Sequence, residues 1–336
     1  MKVLRQIHIN LISFSIAYFF ISGLTFSQSA MSSANPAVWE ITKGNVFLEN
    51  GEPSNEFIGI LLERLASDSA EGEAVTREEF EQFLAQPESK EVYADYIIKY
   101  ATPHSRHIQK KEHENFSKIF MREKRLSAGV SFLKQYQTLL REVEKKYDVA
   151  RKDIVSILMW ESGLGEFTGN LRVFNVFMGQ ILFLEQAEEY AIQKMIKEGK
   201  KYPDENMDTP ESQKRRFRNI KMSAVNSLTA LLRYSKKWRI YPLDIKGSWG
   251  GAIGYPQFMP YRMDVAVDGD GDGKIDLHTW PDAIYSIANY LRELGNYGWD
   301  YKARKKGIYS YNRSNEYVSG VIMYADEIWK RYKNSE

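Results

Sequence analysis

Ile154, Ile157, Leu158 and Glu161 fall at i, i+3, i+4 and i+7, so on a helix they share one face, and three of the four are apolar. A carboxylate on such a stripe is costly to ionise. Gly163 and Gly165 follow at once, which predicts that the helix ends just past Glu161 and leaves the carboxylate facing the negative end of the helix dipole. Burial and dipole act in the same direction, raising the pKa and favouring a protonated carboxyl at neutral pH. A carboxyl that keeps its proton there can serve as a general acid. By spacing alone the plainer alternative stays open: a Glu161 that reaches to solvent or pairs with a basic neighbour.

A second group of carboxylates has metal-ligand spacing. In Asp268-Gly269-Asp270-Gly271-Asp272-Gly273-Lys274-Ile275-Asp276 the acidic residues occupy loop positions one, three, five and nine, with Gly at six and Ile at eight. This is the EF-hand arrangement, in which alternate side chains converge on one hard cation, and the glycine at six permits the sharp turn. Thr279 stands where position twelve calls for a bidentate Glu, and Asp282 lies three residues further on. The alternative is a solvated Asp/Gly turn.

The elements that must position these residues read as helices. Thr76 with Glu79 three residues on forms a capping box before Phe80, Phe83 and Leu84. Val130, Leu133, Tyr136, Leu140, Val143 and Tyr147 recur at spacings of three and four, the pattern of an amphipathic helix. Strand patterns are scarce, so a mainly α protein is expected. The charged stretch Lys194 to Arg218, with Pro203 and Pro210, predicts an exposed loop.

At 336 residues, 43% hydrophobic and 27% charged, the chain can bury a core as one large domain or two modest ones. Its start is different in kind: Lys2 and Arg5 precede the uncharged, largely apolar run Leu11 to Leu24, and small polar residues follow from Ser27 to Ser33. That is the pattern of a secretory signal peptide over residues 1–30, an uncleaved N-terminal anchor being the alternative. The apolar run is short for a membrane span. Loss of Lys2 and Arg5 would take the formal net charge from +2 to zero, so no nucleic-acid partner is implied. The chain has no Cys, which excludes disulfides, thiolate chemistry and a lipid-modified Cys, and suits a periplasmic location.

Two segments carry a resemblance. Glu161-Ser162-Gly163-Leu164-Gly165 with Thr168-Gly169-Asn170, and Lys246-Gly247-Ser248-Trp249-Gly250-Gly251-Ala252-Ile253-Gly254-Tyr255-Pro256-Gln257-Phe258-Met259-Pro260, resemble the two signatures of the lytic murein transglycosylase B family, in the same order. The likeness continues through Ala266-Val267-Asp268, Asp282-Ala283-Ile284 and Ala288-Asn289-Tyr290 to Tyr311-Asn312-Arg313-Ser314-Asn315. It implies a lysozyme-like α core over residues 126–336, a helical N-terminal portion over 31–125, and an EF-hand-like calcium loop over 268–282. It also implies cleavage of the bond between N-acetylmuramic acid and N-acetylglucosamine in peptidoglycan, with the sugar's own C6 hydroxyl as nucleophile and a 1,6-anhydro end as product.

By that resemblance Glu161 is the single acid/base, and Ser248 hydrogen-bonds it. Gln257 lines the cleft, and Tyr290, Tyr311, Asn312 and Tyr317 contact sugar rings or N-acetyl groups. With 21 tyrosines in the chain, ordinary core positions are the alternative for these. Arg215 and Arg216 match a basic pair in the family's cleft, a charged helix face being the other reading. The implied calcium ligands are Asp268, Asp270, Asp272, the Lys274 carbonyl and Asp282, the last closing a lengthened loop. Most glycosidases pair two carboxyl groups across the bond. Neither signature supplies a second one, and Glu166 reads as a surface residue. The segment between Asn170 and Arg215 is longer than the family pattern, and the Gln257 to Asp268 interval is slightly shorter. A lysozyme-type hydrolase, a non-catalytic peptidoglycan-binding protein and, more distantly, a calcium sensor are the rival functions.

Overall fold

The computed structural model describes residues 48–49, 52–53, 58–59, 61–63, 75–103, 119–203 and 207–335. The N-terminal segment read as a signal peptide lies outside them. In chain order the helices are α1 (Arg77–Ala85), α2 (Ala94–Ala101), α3 (Glu123–Gln135), α4 (Gln137–Tyr147), α5 (Arg151–Ser162), α6 (Val173–Leu182), α7 (Leu184–Lys197), α8 (Pro210–Trp238), α9 (Trp280–Glu293), α10 (Tyr301–Tyr311) and α11 (Asn315–Lys333). Among the described residues four two-residue strands pair as β1 (Leu48–Glu49) with β2 (Glu52–Pro53) and β3 (Leu171–Arg172) with β4 (Lys246–Gly247), both antiparallel. The protein is mainly α, as the scarcity of strand patterns predicts. Among the described residues no helix is long and apolar enough to cross a membrane.

The chain forms two compact units, each drawn from separated stretches. The first takes its described residues from 110–170 and 252–336, the second from 24–109 and 171–251. Residues 171–251, which the sequence reading groups with the catalytic portion, thus pack with the N-terminal portion.

In the first unit α5 is the axis. Ile154, Val155, Ile157, Leu158 and Met159 are fully buried, and α3, α4, α9 and α11 pack around it. The approach of α11 is closest at Gly320, where a Cβ would stand 2.1 Å from the Trp160 ring. Any larger residue would push the two helices apart. Helices α3 and α4 break the single periodic run expected there: Tyr136 departs from helical geometry at φ −104°, ψ 24°, and its ring packs against Phe132 and Trp280. The flanking hydrogen bonds from Tyr136 N to Phe132 O and from Leu140 N to Tyr136 O keep the backbone satisfied through the break.

In the second unit α6 is buried on every residue, as suits a helix that is apolar at all but two positions. It packs against α2, α7 and α8. One of its two amides, Asn175, donates to the Glu88 and Glu91 carbonyls at 2.8 Å each. The capping box at Thr76 forms as the spacing predicts, with both of its hydrogen bonds present. The loop expected between Lys194 and Arg218 is narrower than its charge suggests, because Pro210 is the first residue of α8 and Thr209 caps it. Proline is compatible with a helix's first turn, where its missing N–H has no helical partner to lose.

Candidate active site

Helix α5 stops where the glycines predict. Gly163 takes the left-handed conformation at φ 62°. Its N–H donates to the Met159 carbonyl at 3.0 Å, and the Leu164 N–H to the Leu158 carbonyl at 3.1 Å. This closure satisfies the last carbonyls of the helix and leaves Glu161 in its final turn. Ser162, fully buried, donates to Leu158 O and accepts from Gly165 N. The sharp turn that follows Glu161 is therefore fixed.

Around Glu161 stands a group of tyrosines from the far end of the chain. Tyr317, in the first turn of α11, donates its hydroxyl to Glu161 Oε1 at 2.7 Å. Its ring lies edge-on to Trp160, 5.4 Å between centroids. Tyr311 at the end of α10 donates to the Pro256 carbonyl at 2.5 Å, and Tyr290 of α9 to the Ser310 carbonyl at 2.7 Å. The Tyr290 and Tyr311 rings pack on each other and on Phe258. All three tyrosines are buried.

Burial pushes the Glu161 pKa up to about 8, against a smaller opposing pull from the Tyr317 hydrogen bond. The tyrosines respond in the same direction: burial, and then the Glu161 charge, hold Tyr311 and Tyr317 well above the usual phenol range. Glu161 is half-buried as a residue. A carboxyl held by a phenol in such surroundings keeps its proton near neutrality, the state a general acid needs.

Gln257 carries backbone strain, at φ 50° without being glycine. Its Nε2 donates to the carbonyls of Gly254 at 2.8 Å and Thr168 at 3.2 Å. Its Oε1 is buried without a hydrogen-bond partner, an acceptor whose isolation costs free energy unless a ligand donates to it. Asn312 caps the end of α10 and is buried. Glu166 is exposed and ion-paired to Arg125 at 2.8 Å, the surface position expected of it.

Three residues of the expected site belong to the second unit. Ser248 is buried, its carbonyl accepting from Gly251 N at 2.8 Å. Arg215 is exposed on α8, whereas Arg216 is buried and donates to Gln213 Oε1 at 3.2 Å. The hydroxyl found on Glu161 within its own unit is that of Tyr317, which the sequence reading placed against sugar. Sequence reasoning also passed over Phe258 and Arg262, whose guanidinium lies 5.6 Å from the Tyr290 ring. Phe258 stood inside the second signature and was available as a signal.

The acidic loop folds back on the first turn of α9. One carboxylate oxygen each from Asp268, Asp270 and Asp282 lies within 4.8 Å of the others. Asp268 accepts from the N–H groups of Gly271, Asp272 and Gly273, and Asp282 from those of Gly269 and Asp276. Burial raises the Asp282 pKa, these hydrogen bonds oppose it, and the charges of Asp270 and Asp268 add to the rise. Asp272 is exposed, and its carboxylate accepts from Lys274 N at 2.8 Å.

The chain has the fold of solved lytic transglycosylases. SLT35 of Escherichia coli, solved in complex with calcium, superposes with a TM-score of 0.58 at 18% identity, covering 82% of this chain and 93% of that one. The soluble lytic transglycosylase SltB1 of Pseudomonas aeruginosa superposes with a TM-score of 0.55 at 21% identity, covering 82% and 98%. Residues 61–306 match the transglycosylase SLT domain, and the chain belongs to that family. It is also 28% identical over 182 residues to the membrane-bound lytic murein transglycosylase B of Escherichia coli K12, a match spanning 54% of this chain and 41% of that one.

Proposed function

We propose that the protein is a peptidoglycan lytic transglycosylase in which Glu161 alone serves as acid and base. The observation that carries this is the Glu161 carboxyl, pushed up to about 8 by burial and held by the Tyr317 hydroxyl. Protonated at neutral pH, it gives its proton to the glycosidic oxygen between N-acetylmuramic acid and N-acetylglucosamine as the bond breaks. The carboxylate so formed accepts the hydrogen bond of Tyr317 and takes the proton of the muramoyl C6 hydroxyl as that oxygen attacks C1. The sugar supplies the nucleophile, so no second carboxylate is called for. Gln257 Oε1, a buried acceptor without a partner, suits an amide or hydroxyl donor of the glycan. Tyr290, Tyr311 and Asn312 form the wall beside it. An exported, periplasmic location goes with this reading.

Replacing Glu161 with Gln removes the proton while keeping the shape. Release of soluble fragments from purified sacculi should fall by about two to four orders of magnitude. Mass spectrometry of the wild-type products should find ends lacking one water. Hydrated ends would instead make the protein a hydrolase, and substantial activity in Glu161→Gln would remove Glu161 from the chemistry.

The same reading assigns the loop from Asp268 to Asp282 to calcium in a structural role. Three converging carboxylates, one of them raised by burial and further by the charges of the other two, fit a hard divalent cation with oxygen ligands. Asp268, Asp270 and Asp282 would hold it, with Asp272 and the Lys274 carbonyl as further ligands. Calcium should raise the wild-type Tm by several degrees and that of Asp270→Ala by much less. An equal rise in both would discard the site.

A further inference from the structure

The first unit carries a second concave site, a cavity of about 160 Å³ at the other end of α5. Its wall includes Glu144, Arg151, Lys152, Trp299, Arg304 and Trp329. Lys152 and Glu161 stand nine residues apart on one helix, which at 1.5 Å per residue places the two sites about 14 Å apart.

The wall is built rather than incidental. Trp299 is 55% exposed, yet its indole is fixed: Nε1 donates to Asp148 Oδ1 at 2.5 Å. Asp148 is itself held in a left-handed turn, φ 56°, with Arg292 3.6 Å from its carboxylate. The Trp329 ring is oriented by the Arg151 guanidinium, 4.7 Å from its centroid. Arg151 Nε is buried without a hydrogen-bond acceptor. The nearest carboxylate oxygen, Glu144 Oε2, is 3.7 Å away, beyond hydrogen-bonding reach.

The charges on the wall narrow the ligand class. Lys152 is committed to Asp326 at 2.7 Å and Arg304 to Asp153 at 2.6 Å, and Arg151 faces Glu144 at 3.7 Å, so a bare anion meets cations that each already face a carboxylate. A bare cation meets Arg151. What suits fixed indoles edged by both donors and acceptors is a neutral ring with an apolar face and hydroxyls around its rim. The volume is below that of a site for larger ligands and fits about one such ring.

We infer that this cavity is a second saccharide-binding site, which holds one pyranose of a glycan strand against Trp299 while Glu161 acts on another part of the polymer. The inference rests on the glycan reading above and adds a hold on the insoluble substrate that the catalytic site alone does not give.

The test is pelleting of the full chain with purified sacculi, carried out in the Glu161→Gln background so that nothing is cut. Adding Trp299→Ala should weaken pelleting about three- to tenfold, and Trp299→Phe, which keeps an aromatic face, should restore most of it. With Glu161 intact, Trp299→Ala should slow solubilisation of sacculi but not turnover of short soluble fragments of alternating N-acetylglucosamine and N-acetylmuramic acid. Unchanged pelleting by Trp299→Ala, or an equal loss in Trp299→Phe, overturns the site. A wild-type chain that cuts neither substrate overturns the cleavage reading instead, and leaves the pelleting comparison standing on its own.

Discussion

Helix α5 carries a carboxylate near each end, and the protein treats the two in opposite ways. Asp153, in the first turn, is fully buried and completely partnered: Arg304 grips it through Nε at 2.7 Å and a second nitrogen at 2.6 Å, and the Tyr297 hydroxyl donates at 2.5 Å. Glu161, in the last turn, meets a phenol hydroxyl, and burial raises its pKa to about 8. Enclosure alone does not decide whether a carboxyl is charged; the partner does. At one end a guanidinium makes the carboxylate a structural anchor. At the other, neutral phenols leave the carboxyl free to hold and release a proton.

Asp153→Asn breaks that contrast with the largest expected effect. It leaves the largely buried Arg304 with only the half-exposed Asp326 as a counter-charge, and should destabilise the protein by about 3–5 kcal/mol in chemical denaturation. A loss below 1 kcal/mol would mean that the ion pair is no anchor.

At the other end the effect is one of pH. The folded protein holds the Glu161 proton up to about 8, whereas the unfolded chain releases it near 4.5. Between these values the folded state binds more protons, so this group's contribution to stability is greatest below about 4.5 and is lost as the pH rises to about 8. Denaturation midpoints at pH 5 and pH 8 should therefore lie closer together in Glu161→Gln than in the wild type. Identical separations would show that the Glu161 carboxyl is ionised throughout.

Tyr317→Phe sharpens the comparison with the smallest change. The hydroxyl stabilises the ionised carboxylate, so removing it should move the alkaline limb of the pH–rate profile to higher pH. A limb that stays in place or moves to lower pH would remove Tyr317 from the control of this proton.

What could be read from the residues was local. The capping box at Thr76 and the end of α5 at Gly163 each depend on neighbours a few positions apart, and the expected geometry is present at both. Tyr136 shows the limit of periodicity, since the apolar spacing runs unbroken through a point where tertiary contact with Trp280 turns the chain. The pairing of Asp153 with Arg304 was illegible because 151 positions separate them, and Lys302 to Lys306 looks like a solvated basic face. Tyr317 could be placed near the site only by resemblance, and nothing in its spacing pointed to the Glu161 oxygen. The packing of 171–251 with the earlier stretch was equally hidden, because α6, apolar at all but two positions, would suit burial in either unit.

The hydroxyl that meets Glu161 is encoded 156 positions downstream of it. At ordinary rates of translation the ribosome needs on the order of ten seconds to cover that distance. Throughout that interval the glutamate lacks the element that encloses it and keeps the low affinity for protons of any carboxylate in water. The ability to cut is thus assembled only when α11 docks, and a growing chain is chemically silent until then.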